Sequence, residues 1–150
     1  MKWIVRFIAT GAYLGYSPFM PGTIGTLWGI PVAYLLARGS AYTQAIIIIA
    51  ATLVAIYAAD REARENNVKD PSYIVCDEIC GYALAFFLIP FTAFNVILVF
   101  LLFRIFDIFK PYPVSFFDKN IDGGIGIVLD DLAAGVYAGA CAHTVIWLLK

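Results

Sequence analysis

The sequence predicts an all-α membrane protein, a polytopic helical bundle of about five helices with one short helical hairpin between Pro90 and Asn95. Three observations carry this prediction. Hydrophobic residues make up 62% of the 150 residues and charged residues only 14%, against the roughly 45 to 50% apolar share of a soluble globular domain. Apolar runs recur at about 24–37, 42–59, 79–106 and 132–149, with glycine, proline or polar punctuation between them. The charges gather outside those runs. At this length a single domain spanning 1–150 is expected.

The chain opens MKWIVRFIAT, with two basic residues but too short an apolar run before Gly11 for a secretory core, so no cleaved signal is expected. A glycine- and proline-rich stretch from Gly15 to Thr26 leads into the first long helix. Backbone N–H groups at that helix start, with the hydroxyls of Ser17, Thr23 and Thr26, could cradle an oxyanion. The second run continues into the charged segment DREARENNVKD (60–70), read as the same helix extending beyond the bilayer.

The third run holds Pro90 and Asn95 and is long enough for one kinked span or two short helices. Charge distinguishes these. In the hairpin arrangement segments 1–23, 60–78 and 104–131 share one side, which then carries all eleven Asp and Glu and eight of the ten Lys and Arg, leaving Arg38 and Lys150 opposite. Excess Lys and Arg mark the cytoplasmic side. A single span would divide both the carboxylates and the basic residues. In the last run, Gly135 and Gly139 are spaced for close helix packing.

Five acidic residues stand at the ends of apolar stretches: Asp77, Glu78, Asp107, Asp130 and Asp131. Adjacent carboxylates repel, and an ion near hydrocarbon costs roughly 2.5 to 3.5 kcal/mol on insertion scales. Such clusters need a cation or a function. One member of each pair could instead cap a helix, Asp77 or Glu78 before the third run and Asp130 or Asp131 before Leu132. Arg104, Asp107 and Lys110 are three apart at a helix end that Pro111 terminates, which places the Lys110 ammonium beside Asp107. Gly123, Gly124 and Gly126 read as a flexible turn.

His143, the single histidine, lies inside the last apolar run and reads as a packing or hydrogen-bonding residue. Cys76, Cys80 and Cys141 are odd in number and sit in or beside apolar segments, which suits reduced packing residues. A net charge of −1 offers no basic face for nucleic acid.

Four motifs in order, Pro21-Gly22-Thr23, Asp77-Glu78-x-x-Gly81, Phe106-Asp107-x-x-Lys110-Pro111 and Gly124-x-Gly126-Ile-x-x-Asp130-Asp131-x-x-Ala134-Gly135, resemble the phosphatidylglycerophosphatase A family over nearly the whole chain. The resemblance implies a Mg²⁺-dependent membrane phosphatase that converts phosphatidylglycerophosphate to phosphatidylglycerol, embedded in the bilayer of a bacterial-type inner membrane with its site facing the cytoplasm. Hard carboxylates suit Mg²⁺, which binds through a few of them plus substrate phosphate. On this reading Asp77, Glu78, Asp107, Asp130 and Asp131 hold one or two Mg²⁺ ions. Asp77, Asp107, Lys110 and Asp131 carry the catalysis, while Thr23, Arg104 and Lys110 bind the phosphate. A covalent phosphate on Asp107 is a variant of the same reading.

A small cation-binding transporter or channel subunit is the alternative, with carboxylates strung toward the membrane midplane. A purely structural membrane component is a third reading. Histidine-based lipid phosphatases need histidines in polar loops, and membrane alcohol phosphotransferases need an Asp-x-x-Asp-Gly-x-x-Ala-Arg pattern, for which Asp118-x-x-x-Asp122-Gly is too loose.

Overall fold

The computed structural model describes residues 2–69 and 71–149. Among them are seven α-helices and no strand: α1 (Lys2–Ala9), α2 (Pro21–Leu36), α3 (Ala41–Asn66), α4 (Cys76–Ala85), α5 (Ala93–Phe109), α6 (Val114–Asn120) and α7 (Gly123–Leu148). The all-helical class stands, but the count is seven rather than five. The two additional helices, α1 and α6, are short and fall in segments the sequence assigns to connections. Asp70 and Lys150, which end the charged run and the far side in the sequence reading, lie outside the described residues.

Helices α3 and α7 are each 26 residues, about 39 Å at 1.5 Å per residue, and both are long and apolar enough to cross a membrane. Along α3 most apolar side chains find no protein to cover them. Ile46, Ile49 and Leu53 are exposed, as are Ile97 and Leu101 on α5. Faces this apolar, left bare by the fold, are what a bilayer covers, and the protein is accordingly a membrane protein. α3 does continue past its apolar part, through Asp60, Glu62 and Arg64, to Asn66.

α7 is the central column, with α3, α4, α5 and α6 packed around it. Tyr82, Phe103 and Val99 are fully buried against its small residues Ala134, Ala138 and Ala142. The chain breaks between α4 and α5 at Phe86, earlier than Pro90, and α5 begins at Ala93. Asn95 therefore falls inside α5. The reason is local: Thr92 caps α5 by accepting the Asn95 N–H, while the Asn95 side chain donates to the Pro90 carbonyl at 2.8 Å. His143 of α7 reaches the Phe87 carbonyl at 3.0 Å, a structural contact across this break.

The α4–α7 crossing depends on glycine. A Cβ on Gly135 would sit 2.4 Å from the Gly81 carbonyl oxygen, and one on Gly139 would sit 3.0 Å from that of Ala85. The two helices run in the same direction, with residue pairs 81/135 and 85/139 at successive turns. Cys76 and Cys80 are buried free thiols packed among Ala55, Ala59 and Val128.

Candidate active site

The register set by the glycines also stacks Asp77 against Asp131, one turn nearer the helix starts. Asp77 and Glu78 occupy the first turn of α4, where Asp77 Oδ1 accepts the Glu78 N–H at 3.0 Å. Neither residue caps α4, whose N-cap is Val75, but both carboxyls stand in its first turn, where the helix dipole favours negative charge. The dipole reading does not extend to α7. Asp130 and Asp131 do not cap α7 either, because it starts at Gly123 and both lie well inside the helix. The glycines of 123–126 are correspondingly not a turn but the first turn of α7. Gly124 lies against the α3 backbone, its N–H donating to Asp60 Oδ1 at 3.2 Å.

Ligand oxygens of Asp77, Glu78 and Asp131 come within 4.8 Å of one another, an arrangement able to hold a metal ion. The fit to a hard cation has an independent sign. Glu78 Oε2 is buried with no hydrogen-bond partner, a state that costs several kcal/mol for a charged group. At the N-terminus of α4, a helix too short to cross a bilayer, burial pushes the Asp77 carboxyl well above the usual range and that of Glu78 to about 8, neighbouring carboxylates adding to the shift. Close approach is again made by glycine: a Cβ on Gly22 would lie 2.3 Å from Glu78 Oε1.

The remaining predicted carboxylates are engaged by cations. Arg104 Nη1 donates to Asp107 Oδ2 at 2.5 Å and to the Thr26 hydroxyl at 3.4 Å, while its Nε is buried without a partner. Lys110 does not sit beside Asp107 as its spacing suggested. It terminates α5 in a left-handed conformation (φ 43°) and turns toward α6 and α7, where Nζ donates to Asp118 at 2.6 Å and Asp130 at 2.7 Å. Burial alone would lower the Lys110 pKa, but these two carboxylates outweigh it and raise it.

One cavity of about 400 Å³ is lined by Gly22, Thr23, all five predicted carboxylates, Arg104 and Lys110. The starts of α2 and α4, the N-terminal part of α7 from Ile127 to Asp131 and the end of α5 meet there, at one end of the bundle. Met20, Ser72 and Ile108 join the lining without having been foreseen. Asp118, part of a pattern too loose to assign from sequence, is a partner of Lys110. Ser17 takes no part; its hydroxyl bonds to Phe19.

Comparison with known proteins adds a second line of observation. The model of the family described as phosphatidylglycerophosphatase A matches residues 7–146. The chain belongs to the phosphatidylglycerophosphatase A family. It is 32% identical to phosphatidylglycerophosphatase A of Escherichia coli (strain K12), over 92% of this chain and 81% of that protein. It is likewise 32% identical to phosphatidylglycerophosphatase A of Haemophilus influenzae, over 97% and 91%. A Bacteroides thetaiotaomicron protein described as a candidate phosphatidylinositol-3-phosphatase is 36% identical, over 95% and 93%. No solved structure matches the chain.

Within the family, the clustering bears on the alternatives drawn from the sequence. A cation pathway would string carboxylates toward the middle of α3 or α7. Among the described residues every Asp and Glu lies instead toward the end that carries the cavity.

Proposed function

We propose that the protein hydrolyses the terminal phosphate of phosphatidylglycerophosphate, yielding phosphatidylglycerol and inorganic phosphate, at the cytoplasmic face of the membrane. Membership of the family makes it a phosphoric monoester hydrolase. The observation that carries the finer reading is the juxtaposition, in one cavity, of three carboxylates that have no ion-pair partner among the described residues with Arg104 and Lys110, which line the same space.

Asp77, Glu78 and Asp131 are the residues that would hold Mg²⁺, with Asp107 and Asp130 bordering them. When bound, Mg²⁺ supplies Lewis-acid polarisation of the phosphoryl group and a more acidic water. Arg104 and Lys110 neutralise the phosphate oxygens. Asp107 and Thr26 fix the guanidinium, and Asp118 and Asp130 fix the ammonium, so neither cation must reorganise as charge develops. Thr23 and the start of α2 face the phosphate from the remaining side, where backbone N–H groups favour an anion. Water attacks phosphorus as the bond to the lipid glycerol oxygen breaks. The water's proton passes to a site carboxylate, and the leaving oxygen regains a proton. The pairing of Asp107 with Arg104 suits an orienting carboxylate better than a covalent nucleophile.

α4 and α5 are read as a hairpin dipping into the bilayer from the side that carries the site. This keeps α5's C-terminal Arg104 and Asp107 on the same face as α4's Asp77. The excess of Lys and Arg on that face supports a cytoplasmic orientation.

The test is phosphate release by purified protein from phosphatidylglycerophosphate, phosphatidic acid and phosphatidylinositol 3-phosphate, with Mg²⁺ and with EDTA. Preference for the first substrate, lost in chelator and restored by Mg²⁺, is expected. Full turnover in EDTA contradicts the metal assignment. Preference for the inositol lipid supports the activity named for the Bacteroides relative instead.

A further inference from the structure

Between α3 and the start of α7 the outer surface carries an open groove of about 840 Å³, within the roughly 300 to 1,000 Å³ range of ligand pockets. Its polarity changes along its length. Leu53, Ile56 and Tyr57 of α3 line one end, in the part of the helix apolar enough to cross a membrane. Asp60, Arg64 and Lys69 line the other. The charges there are paired, Arg64 with Asp60 at 2.9 Å and Lys69 with Asp122 at 2.7 Å. From Leu53 to Arg64 the helix advances about 16 Å. Apolar surface followed by ionic groups, ordered along a membrane-crossing helix, is the order of acyl chain and headgroup in a phospholipid.

The groove also leads inward. A cavity of about 420 Å³ shares Val68, Lys69 and Gly123 with the groove and Ile127 and Asp130 with the active-site cavity. Asp118, which holds Lys110, lines this middle space as well. Groove, middle cavity and carboxylate cluster therefore adjoin in sequence.

We propose that the α3–α7 groove binds an acyl chain of the phospholipid substrate, and that its headgroup reaches the carboxylates past Lys69 through the middle cavity. This rests on the phosphomonoester reading above and extends it by assigning the lipid's route. A water-soluble phosphate ester would have no use for the apolar end. A lipid entering from the bilayer meets that end first.

The experiment compares two substrates in mixed micelles: phosphatidylglycerophosphate with two long acyl chains, and its deacylated headgroup ester. Leu53→Trp and Ile125→Trp place bulk in the groove. Ile97→Trp, on the exposed face of α5 away from it, is the control. Both groove variants should raise KM for the long-chain lipid about tenfold with kcat within about twofold, the signature of lost uniform binding. The ratio of the two substrates' KM values should shift by nearly the same factor, and Ile97→Trp should shift neither. Equal changes for both substrates, no change, or an altered oligomeric state in Leu53→Trp would overturn the proposal.

If wild-type protein releases phosphate from neither substrate, the functional reading fails, and photolabelling tests the groove separately. A phospholipid with a diazirine in its acyl chain should label the segment around Leu53 to Tyr57 and Ile125 preferentially. Labelling spread evenly over the exposed faces of α3 and α5 would overturn the groove assignment.

Discussion

Replacing Gly135 by alanine tests whether the glycine crossing positions the carboxylates. The new Cβ would lie 2.4 Å from the Gly81 carbonyl oxygen, whereas real Cβ contacts essentially never fall below 3.0 Å. The difference, 3.0 − 2.4, obliges α4 and α7 to separate by at least 0.6 Å. Asp77 and Asp131 lie one turn away on the same two helices and must share most of that displacement. A misplacement of about 1 Å can cost about 100-fold, so 0.6 Å on a logarithmic scale predicts a loss of about 15-fold in kcat/KM. Stability should change less. Overpacking costs about 1 to 3 kcal/mol, while replacing a mid-helix glycine returns up to about 1 kcal/mol. Gly139→Ala is the matched comparison, because its Cβ would stand 3.0 Å from the Ala85 carbonyl oxygen and needs a smaller opening, a few tenths of an ångström. Phosphate release and thermal melts in detergent measure both variants. Wild-type activity in Gly135→Ala, or equal losses in the two, would refute the coupling between helix register and site.

Asp77→Asn, Glu78→Gln and Asp131→Asn should each lower turnover by more than the roughly 10- to 100-fold typical of outer-shell changes at metal sites, with the helical circular dichroism signal retained; near-normal phosphate release in all three would remove the metal site. Glu78 is raised to about 8, so the folded metal-free protein holds a proton that the unfolded chain releases near its ordinary value of about 4.3. Its melting temperature in chelator should therefore fall as pH rises from about 4.3 to 8, and Mg²⁺ should flatten that slope; a melting temperature that climbs over the same window contradicts the assignment. Lys110→Met should cost about 100-fold or more in kcat/KM, Asp118→Asn markedly less. The raised Lys110 pKa keeps its ammonium charged at every pH below its ordinary value of about 10.4, so any alkaline fall in a wild-type rate profile below that pH has another origin.

The helical class was legible because it depends on pattern, and so was the set of acidic and basic residues that the fold gathers around one cavity. Apolar runs mark helices that a bilayer or a core must cover, and acidic pairs at their ends stand out against hydrocarbon. The helix starts were harder. Gly123, Gly124 and Gly126 lower helix propensity, yet α7 begins there because α3 approaches so closely that Gly124 has no room for a side chain. Local composition indicated a turn, and tertiary packing prevailed. The partner of Lys110 was hidden for a related reason. Asp118 is eight residues away, beyond Pro111 and Pro113, and reaches the ammonium because Lys110 leaves α5 in a left-handed conformation. Helical periodicity cannot express that contact. Thr26 was legible as a hydroxyl near the first helix but not as a support for Arg104, seventy-eight residues away.

The distribution of partners within the cavity divides the labour among carboxylates that look alike in sequence. Asp107 and Asp130 each have a cation of this chain within 2.7 Å or less. Asp77, Glu78 and Asp131 have one another. Three acidic groups held together on two glycine-locked helices, with a buried oxygen unpartnered, repel in a way that a compact cation would relieve and that no Lys or Arg of the site relieves. The two ion-paired aspartates have a different effect: they hold the Arg104 guanidinium and the Lys110 ammonium in place at the cavity. The same residue type thus serves two ends, and the deciding variable is which helix supplies the neighbour. α4 and α7 bring carboxylate to carboxylate, whereas the end of α5 brings a guanidinium and an ammonium to the rim, leaving between them the space in which a phosphoryl group would meet both.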